Sequence, residues 1–388
     1  MTNRASDVVI IGGGPAGLYA GWQLARAGCS VHLYEEHPEI GEPVHCTGVL
    51  AREAFEEFDL PTSAVLNDLQ TVRFHAPSGS VVEYTSPAVE AVVIDRALFD
   101  RQLSFEAAGA GLTIHRARVT SVDVDADGVS IATAGWTARA RACVLACGAS
   151  YGVQRRFGLG VPRLMLQSAQ AELPAGRLGD VEVHFGASVA PRGFAWAVPV
   201  HRSDRPCVRV GVMCESDAGM YFSRMLGRIA SRWGIRETAG LQPRQKVLPL
   251  GPIERTYANR LLVLGDAAGL VKPTTGGGIY YSLLSAQLAV DTLVDALERD
   301  ALDDASLASY EASWRKRIGP ELRWQLVLRR IAQQLSDGDI DRLFELALTD
   351  GIMPIVRCTA AFNRHRDFIV ALLKHPPARR VLLRAAFA

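Results

Sequence analysis

The chain of 388 residues contains no Cys-x-x-Cys pair; its seven cysteines, at 29, 46, 143, 147, 207, 214 and 358, are odd in number and scattered. That spacing excludes the short-range ligand sets of structural zinc and iron–sulfur clusters and offers no disulfide framework, so no metal site is expected. Reduced thiols and a cytoplasmic setting are the default. No apolar run approaches the ~20 residues that cross a bilayer, so any membrane contact is expected to be peripheral. The chain enters a strand directly after Ser6, and no cleaved leader is expected. A charge excess is missing too: 42 basic residues face 41 acidic ones, without a basic block. Nucleic-acid binding needs a clustered positive face, so no such partner is expected. There is no internal repeat and no low-complexity segment, and nothing indicates an oligomeric state.

What is present is apolar material, 48% of residues against 21% charged, enough for the cores of two closely packed domains at this length. Residues 7–11 form a short β-branched run, a buried parallel strand by pattern. Residues 18–27 have helical spacing and stop at Gly28, and residues 30–34 read as the next strand, completing a βαβ unit. Residues 96–109 read as a helix with Leu98, Phe99, Leu103 and Ala107 on one face. Residues 112–120, 122–133 and 136–145 are expected to be hairpin strands, with 125–128 as a turn. Between 162 and 259 strand-like runs dominate (169–173, 181–186, 194–200, 208–212), which predicts an antiparallel sheet inserted into the first domain. Residues 71–82 and 84–93 are expected to join that sheet. Residues 261–264 return to the first domain, and the chain beyond 300 is helical, with Trp314 and Trp324 on apolar faces.

The sequence Gly12-Gly-Gly14-Pro-Ala16-Gly17 fits G-x-G-x-x-G between a strand and a helix. Gly12 permits the tight turn, Gly14 lets a pyrophosphate approach the backbone, and Gly17 allows close helix–strand packing. Glu35, at the end of the second strand, can accept hydrogen bonds from both ribose hydroxyls. Strand, helix and acid in register point to dinucleotide binding, and leave NAD and FAD open.

The run from 261 to 289, LLVLGDAAGLVKPTTGGGIYYSLLSAQLA, separates them. After its strand, Gly265 and Asp266 form a turn whose carboxylate can accept from a ribitol hydroxyl, which FAD has and NAD lacks. Gly276, Gly277 and Gly278 precede a helix starting near Ile279. Their amides and the helix dipole can stabilise negative charge on the N1/O2 edge of a reduced flavin. Alone this is equally an ordinary glycine loop with a capping Asp; joined to the first turn it reads as a flavin site.

The segment GDAAGLVKPTTGGGIYY resembles the flavin motif of the geranylgeranyl reductase family, within the p-hydroxybenzoate hydroxylase-like flavoproteins. Gly41-Glu-Pro-Val-His-Cys46-Thr47-Gly48 is similar to that family's Pro-x-x-Cys-Gly loop at the flavin. Arg96-Ala-Leu-Phe99-Asp100 resembles its R-x-x-F-D helix start, and Phe194-Ala-Trp196-Ala-Val-Pro199 its Y-x-W-x-F-P substrate segment. The resemblance spans residue 7 to about 290. It implies non-covalent FAD held by Gly12, Gly14, Ala16, Gly17, Glu35, Cys46, Thr47, Arg96, Val119, Gly265, Asp266, Gly277, Gly278 and Ile279. It implies a substrate pocket of Phe194, Trp196, Pro199 and Tyr280. Four departures stand out: Thr47 replaces a glycine, Phe194 lacks the family tyrosine's hydroxyl, Val198 is smaller than the family phenylalanine, and Cys147-Gly148 replaces the Asp-Gly of the monooxygenases.

Other residues carry two readings each. Cys46 is the candidate catalytic residue, a thiol able to protonate the carbon opposite a hydride; its alternative is a small residue beside the isoalloxazine. His45 reads as solvated or satisfied, and Tyr281 as core. Lys272 either holds an anion or is solvated, the second being expected. Arg315, Lys316, Arg317, Arg323, Arg329, Arg330, Arg379 and Arg380 read as a solvated helix face more readily than as a membrane-facing one.

The expected architecture is α/β and α+β: a Rossmann-like FAD-binding domain (1–70, 94–161, 260–300), an inserted antiparallel-sheet substrate domain (71–93, 162–259) and a helical C-terminal region (301–388). The resemblance implies reduction of isolated carbon–carbon double bonds in a polyprenyl lipid or diphosphate by hydride from the reduced flavin's N5. With no second dinucleotide motif, NADPH, NADH or ferredoxin is open as electron donor. The alternatives are an aromatic or polyketide monooxygenase, a quinone-linked flavin dehydrogenase and a non-catalytic prenyl-binding protein.

Overall fold

The computed structural model describes residues 6–386 except 204, 239 and 350. Its first sheet runs Tyr257–Ala258, Leu261–Val263, Thr137–Leu145, Ser6–Ile11, Val31–Glu35, Thr113–Arg116. The last five of these are mutually parallel. Ser6–Ile11 lies at the centre with Val8, Val9 and Ile10 almost wholly buried, as a parallel strand covered on both faces requires. The chain leaves it in opposite directions, to Val31–Glu35 and later to Thr137–Leu145. The crevice at the carboxyl ends of these strands is therefore a topological switch point, where open α/β sheets bind ligands. The helix Pro15–Arg26 packs against both Arg96–Gly109 and Ile279–Glu298. Asp95 caps Arg96–Gly109 by accepting from the Leu98 amide at 3.0 Å.

One expectation for this domain needs correction. Thr113–Arg116 is not a hairpin strand but pairs in parallel with Val31–Glu35, which gives its carbonyls and amides a partner across the sheet edge. The other two runs do form hairpin strands: Ser121–Val124 pairs with Val129–Ala132, turned where the Asp125 carboxylate accepts from the Asp127 and Gly128 amides, and Val129–Ala132 pairs in turn with Thr137–Leu145.

The second sheet runs Arg244–Leu250, Leu164–Pro174, Pro206–Cys214, Phe194–His201, Val181–His184, Thr71–His75, Val81–Thr85. Its pairs are antiparallel except Val181–His184 with Thr71–His75. The run expected over 84–93 divides: Val81–Thr85 joins this sheet, whereas Ala91–Ile94 pairs with Val49–Ala51 and Val65–Leu69 in a third, three-stranded sheet. One face of the second sheet is covered by a helix absent from the sequence reading, Ala218–Trp233, whose Phe222, Met225, Leu226, Ile229 and Trp233 are buried at helical spacing. Near one edge His75 stacks on His184 at 4.1 Å, and Glu182 binds His184, Arg232 and Trp233. Glu182 thus spends its acceptor sites on protein donors.

Beyond residue 300 the chain is helical, led by Asp304–Ala332. Its Trp314 donates to Thr256 Oγ1 and its Tyr310 to the Val263 carbonyl, both at 2.9 Å, fastening it to the edge of the first sheet. Arg329 is not on a solvated face: it is buried and donates to the Arg192 carbonyl at 2.6 Å. Among the described residues no helix is long and apolar enough to cross a membrane.

Candidate cofactor and substrate site

A cavity of about 660 Å³ opens at the carboxyl ends of the parallel strands and extends beneath the second sheet. The first glycine turn forms one end. Gly12 has φ +111°, and a Cβ there would meet the Ala146 carbonyl at 2.3 Å; one on Gly17 would meet the Gly12 carbonyl at 2.0 Å. Those two glycines pack the turn against the sheet, and Gly17 does not line the cavity. Gly14 does line it and has nothing within 4 Å of a built Cβ, leaving its backbone open to close approach. Gly14 is also the N-cap of Pro15–Arg26 with no side-chain cap, so the first helical amides face the cavity beside Ala16. Buried Glu35 accepts from the Gly13 amide at 2.6 Å and from His37, which aims its carboxylate at the same opening.

The late loop forms the other end. Gly265 (φ +56°) lies outside the lining and packs against Ser282 and Ala16. Asp266 lines the cavity, paired with Lys246 Nζ at 3.1 Å, and Asp266 holds the Lys246 pKa up against burial. A Cβ on Gly278 would meet Asp266 Oδ1 at 2.7 Å, so glycine there makes room for the carboxylate. Gly277, Gly278 and Ile279 line the cavity, and Ile279–Glu298 also starts without a side-chain cap. Lys272 overturns its expectation. It is 4% exposed, with Nζ donating to the Phe362 carbonyl at 2.9 Å and lying 4.2 Å from the Phe362 ring centre.

The Cys46 loop lies between the two ends. Cys46 Sγ accepts from the Gly48 amide at 3.3 Å and lies beside Arg96. Arg96 binds Asp100 at 2.7 Å, and its buried Nε has no protein partner among the described residues. Burial pushes the Asp100 carboxyl up, against the pull of Arg96. Thr47, the departure from glycine, donates to Gln170 Oε1 at 2.9 Å, and its carbonyl accepts from Arg209 at 2.6 Å. The second sheet therefore grips this loop directly. His45 is neither solvated nor satisfied: its buried Nδ1 has no partner among the described residues, and burial, then Lys246 and Arg244, lower its pKa. Val119 lines the cavity, as do Gly148 and Cys147, whose thiol is pushed up to about 11 by burial.

The remaining wall is apolar. Phe194, Trp196 and Val198 face the cavity with Val183 and Leu248, while Ala195 and Ala197 face the covering helix. Strand alternation puts Pro199 with the alanines, so it does not line the pocket; its carbonyl accepts from Asn67 instead. A Cβ on Gly211 would meet the Trp196 ring at 2.2 Å, so this glycine lets the indole lie flat. Tyr280 lines the cavity and donates to Glu57 at 2.6 Å, whereas Tyr281 is core.

Sequence reasoning missed Lys246, Arg209 and the wall formed by Phe362, Asn363 and His365. The last three carry no motif; they reach the cavity because Tyr281 donates to the Asn363 carbonyl and Thr274 binds His365. The site fits a flavin dinucleotide on its own geometry. It has an open glycine backbone at one helix N-terminus, a carboxylate cradled by glycine at a second, and the unpartnered Arg96 Nε.

The chain matches the lycopene cyclase protein family over residues 7–346. It is 31% identical to digeranylgeranylglycerophospholipid reductase 2 of Methanothermobacter thermautotrophicus, covering 87% of this chain and 90% of that protein. It is 29% identical to the digeranylgeranylglycerophospholipid reductase of Methanocaldococcus jannaschii, over 88% and 90%. Among solved structures, a geranylgeranyl bacteriochlorophyll reductase-like protein from Thermoplasma acidophilum superposes with TM-score 0.84 at 22% identity, over 98% of this chain and 99% of that one. The halogenase PltM in complex with FAD superposes at 0.70 with 15% identity, over 98% and 86%. The fold is thus an FAD-binding one.

Proposed function

The chain belongs to the geranylgeranyl reductase family, and on that premise we propose that it uses FAD to reduce isolated carbon–carbon double bonds of a polyprenyl lipid, with digeranylgeranylglycerophospholipid as the first substrate to test. The observation that carries this reading is the continuity of the cavity, from the open Gly14 backbone to the apolar wall of Phe194, Trp196 and Leu248.

FAD, when bound, supplies the hydride. The residues we assign to hold it are Gly14 and Ala16 at the pyrophosphate, Glu35 at the ribose, Asp266 at the ribitol, and Gly277, Gly278 and Ile279 at the ring edge. Arg96, Cys46, Thr47 and Val119 complete that set, while Gly12, Gly17 and Gly265 shape the turns behind it. An isolated alkene has no carbonyl to take developing charge, so the chain's contribution is alignment and exclusion of water by Phe194, Trp196 and Tyr280. The Cys46 thiol, on the cavity wall, is the proposed proton donor to the second alkene carbon. We keep NADPH, NADH and a ferredoxin as candidate donors of electrons. We also place peripheral bilayer contact on Pro376–Ala386, where Arg379, Arg380, Leu383 and Arg384 are exposed. Leu383→Glu should then reduce co-sedimentation with anionic vesicles, and unchanged sedimentation refutes that placement.

The principal test is anaerobic reoxidation of dithionite-reduced, FAD-loaded protein, followed by flavin absorbance. Reoxidation on adding the prenyl lipid is expected. No reoxidation on adding the lipid overturns the proposal, and an oxygenated product formed once oxygen is admitted would favour the monooxygenase reading.

A further inference from the structure

Lys272 is a buried amine on the wall of the cofactor cavity, within the loop that ends in the three glycines. Its backbone closes that loop: the Lys272 amide donates to the Gly277 carbonyl at 3.0 Å, and the Gly276 amide donates to the Lys272 carbonyl at 2.8 Å. Its side chain runs along the same loop, so that a Cβ on Gly277 would lie 3.7 Å from Lys272 Cε. The amine's polar contact is a neutral one, the Phe362 carbonyl, backed by the Phe362 ring. Among the described residues no carboxylate lies within ion-pair distance of it. The two acids that act on it from further away are engaged elsewhere: Glu53 accepts from Asn363 and Arg364, and Glu321 from Gln325 and the His365 and Arg366 amides. His365, the other titratable group beside it, is kept neutral by burial and by Lys272 itself, its pKa pushed down to about 4. A buried amine without its own anion is costly to charge, and a ligand that brings negative charge beside it offsets that cost.

We propose that Lys272 is the cationic partner of the reduced cofactor's negatively charged edge, charging as that edge gains electrons and adding to the amides of Gly277 and Gly278. The inference rests on FAD being bound here and is independent of the substrate. Burial lowers the Lys272 pKa to about 7, with Glu53 and Glu321 pulling it back up, so near neutral pH the amine is poised to accept a proton. The balance is one proton from solvent to the Lys272 amine for the negative charge that two electrons and one proton leave on the oxidised flavin. In the test those electrons come from dithionite.

The test compares anaerobic affinities for oxidised and dithionite-reduced FAD in native protein, Lys272→Gln and Lys272→Arg at pH 8. Gln keeps a donor for the Phe362 carbonyl and removes the charge; Arg keeps the charge. Lys272→Gln should weaken binding of reduced FAD about tenfold relative to oxidised FAD, the size of a one-unit pKa coupling. It should also lower proton uptake on reduction, read with an indicator dye, while Lys272→Arg retains the native preference for reduced FAD. Equal weakening of both forms by Gln, or no change in either, overturns the proposal. If Lys272→Gln does not fold, the native protein and Lys272→Arg decide: Arg, which stays charged, should show less proton uptake on reduction than native, and equal uptake overturns it. Failure of native protein to bind FAD at all would instead strike the cofactor assignment.

Discussion

The two glycine turns at the ends of the cavity solve different problems. In the first, Gly12 and Gly17 are filled against backbone carbonyls, and buried Glu35 is satisfied by Gly13 and His37. In the second, Gly278 makes room for a carboxylate, Lys246 pairs with it, and the buried Lys272 lies along the loop. The first turn is a backbone cradle with one fully bonded acid beside it, suited to a group whose charge never changes. The second carries a carboxylate–lysine pair and a further, buried lysine without an acid of its own, suited to a ligand edge whose charge changes during the reaction.

Substitutions sharpen this contrast. The largest effect belongs to the first turn: Gly17→Val should cost at least ~3 kcal/mol of stability by chemical unfolding, because its Cβ meets the Gly12 carbonyl. Gly14→Ala, with open space around it, should leave unfolding unchanged and weaken FAD binding alone; matching losses in both variants would erase the distinction between packing and cradle. Next, Asp266→Asn should lower FAD affinity about ten- to a hundredfold by titration, as loss of a charged acceptor does, with the fold intact by circular dichroism.

Lys272→Met should act in the opposite direction on stability. The Lys272 pKa is lowered to about 7 from 10.5, so between those values the unfolded chain binds a proton that the folded chain does not. Native stability should climb as pH rises from 7 to 10.5. The variant should lack that climb and be more stable by ~1–2 kcal/mol at pH 8, after loss of the Phe362 contacts is offset. Thermal melts of cofactor-free protein across this range check it, and a variant less stable at pH 8 contradicts it. The smallest effect is expected for Thr47→Gly, ~1 kcal/mol from the lost bond to Gln170, read by the same melts.

The first turn was legible because its evidence is local: glycine spacing, an apolar strand before it and an acid at the next strand's end. The second was legible as a flavin motif but not in its electrostatics. Lys272 sits between Val271 and a Pro-Thr-Thr-Gly stretch, which reads as surface, and its cover, Phe362, comes 90 residues later. Lys246 likewise meets Asp266 only through the packing of one sheet on another. Pro199 was misplaced although its position was readable, since alternation from Phe194 through Trp196 puts it on the far face. Ala218–Trp233 was readable too, from its helical spacing of apolar residues within a region otherwise patterned as strands. The pairing partner of Thr113–Arg116 was not, because an isolated four-residue run fits a parallel edge as well as a hairpin.

The most direct measurement is the mass of digeranylgeranylglycerophospholipid after anaerobic incubation with excess dithionite-reduced, FAD-loaded protein. The account predicts a product heavier by two hydrogens for each bond reduced, in proportion to flavin reoxidised. Recovery of the lipid at unchanged mass while the flavin stays reduced would contradict it.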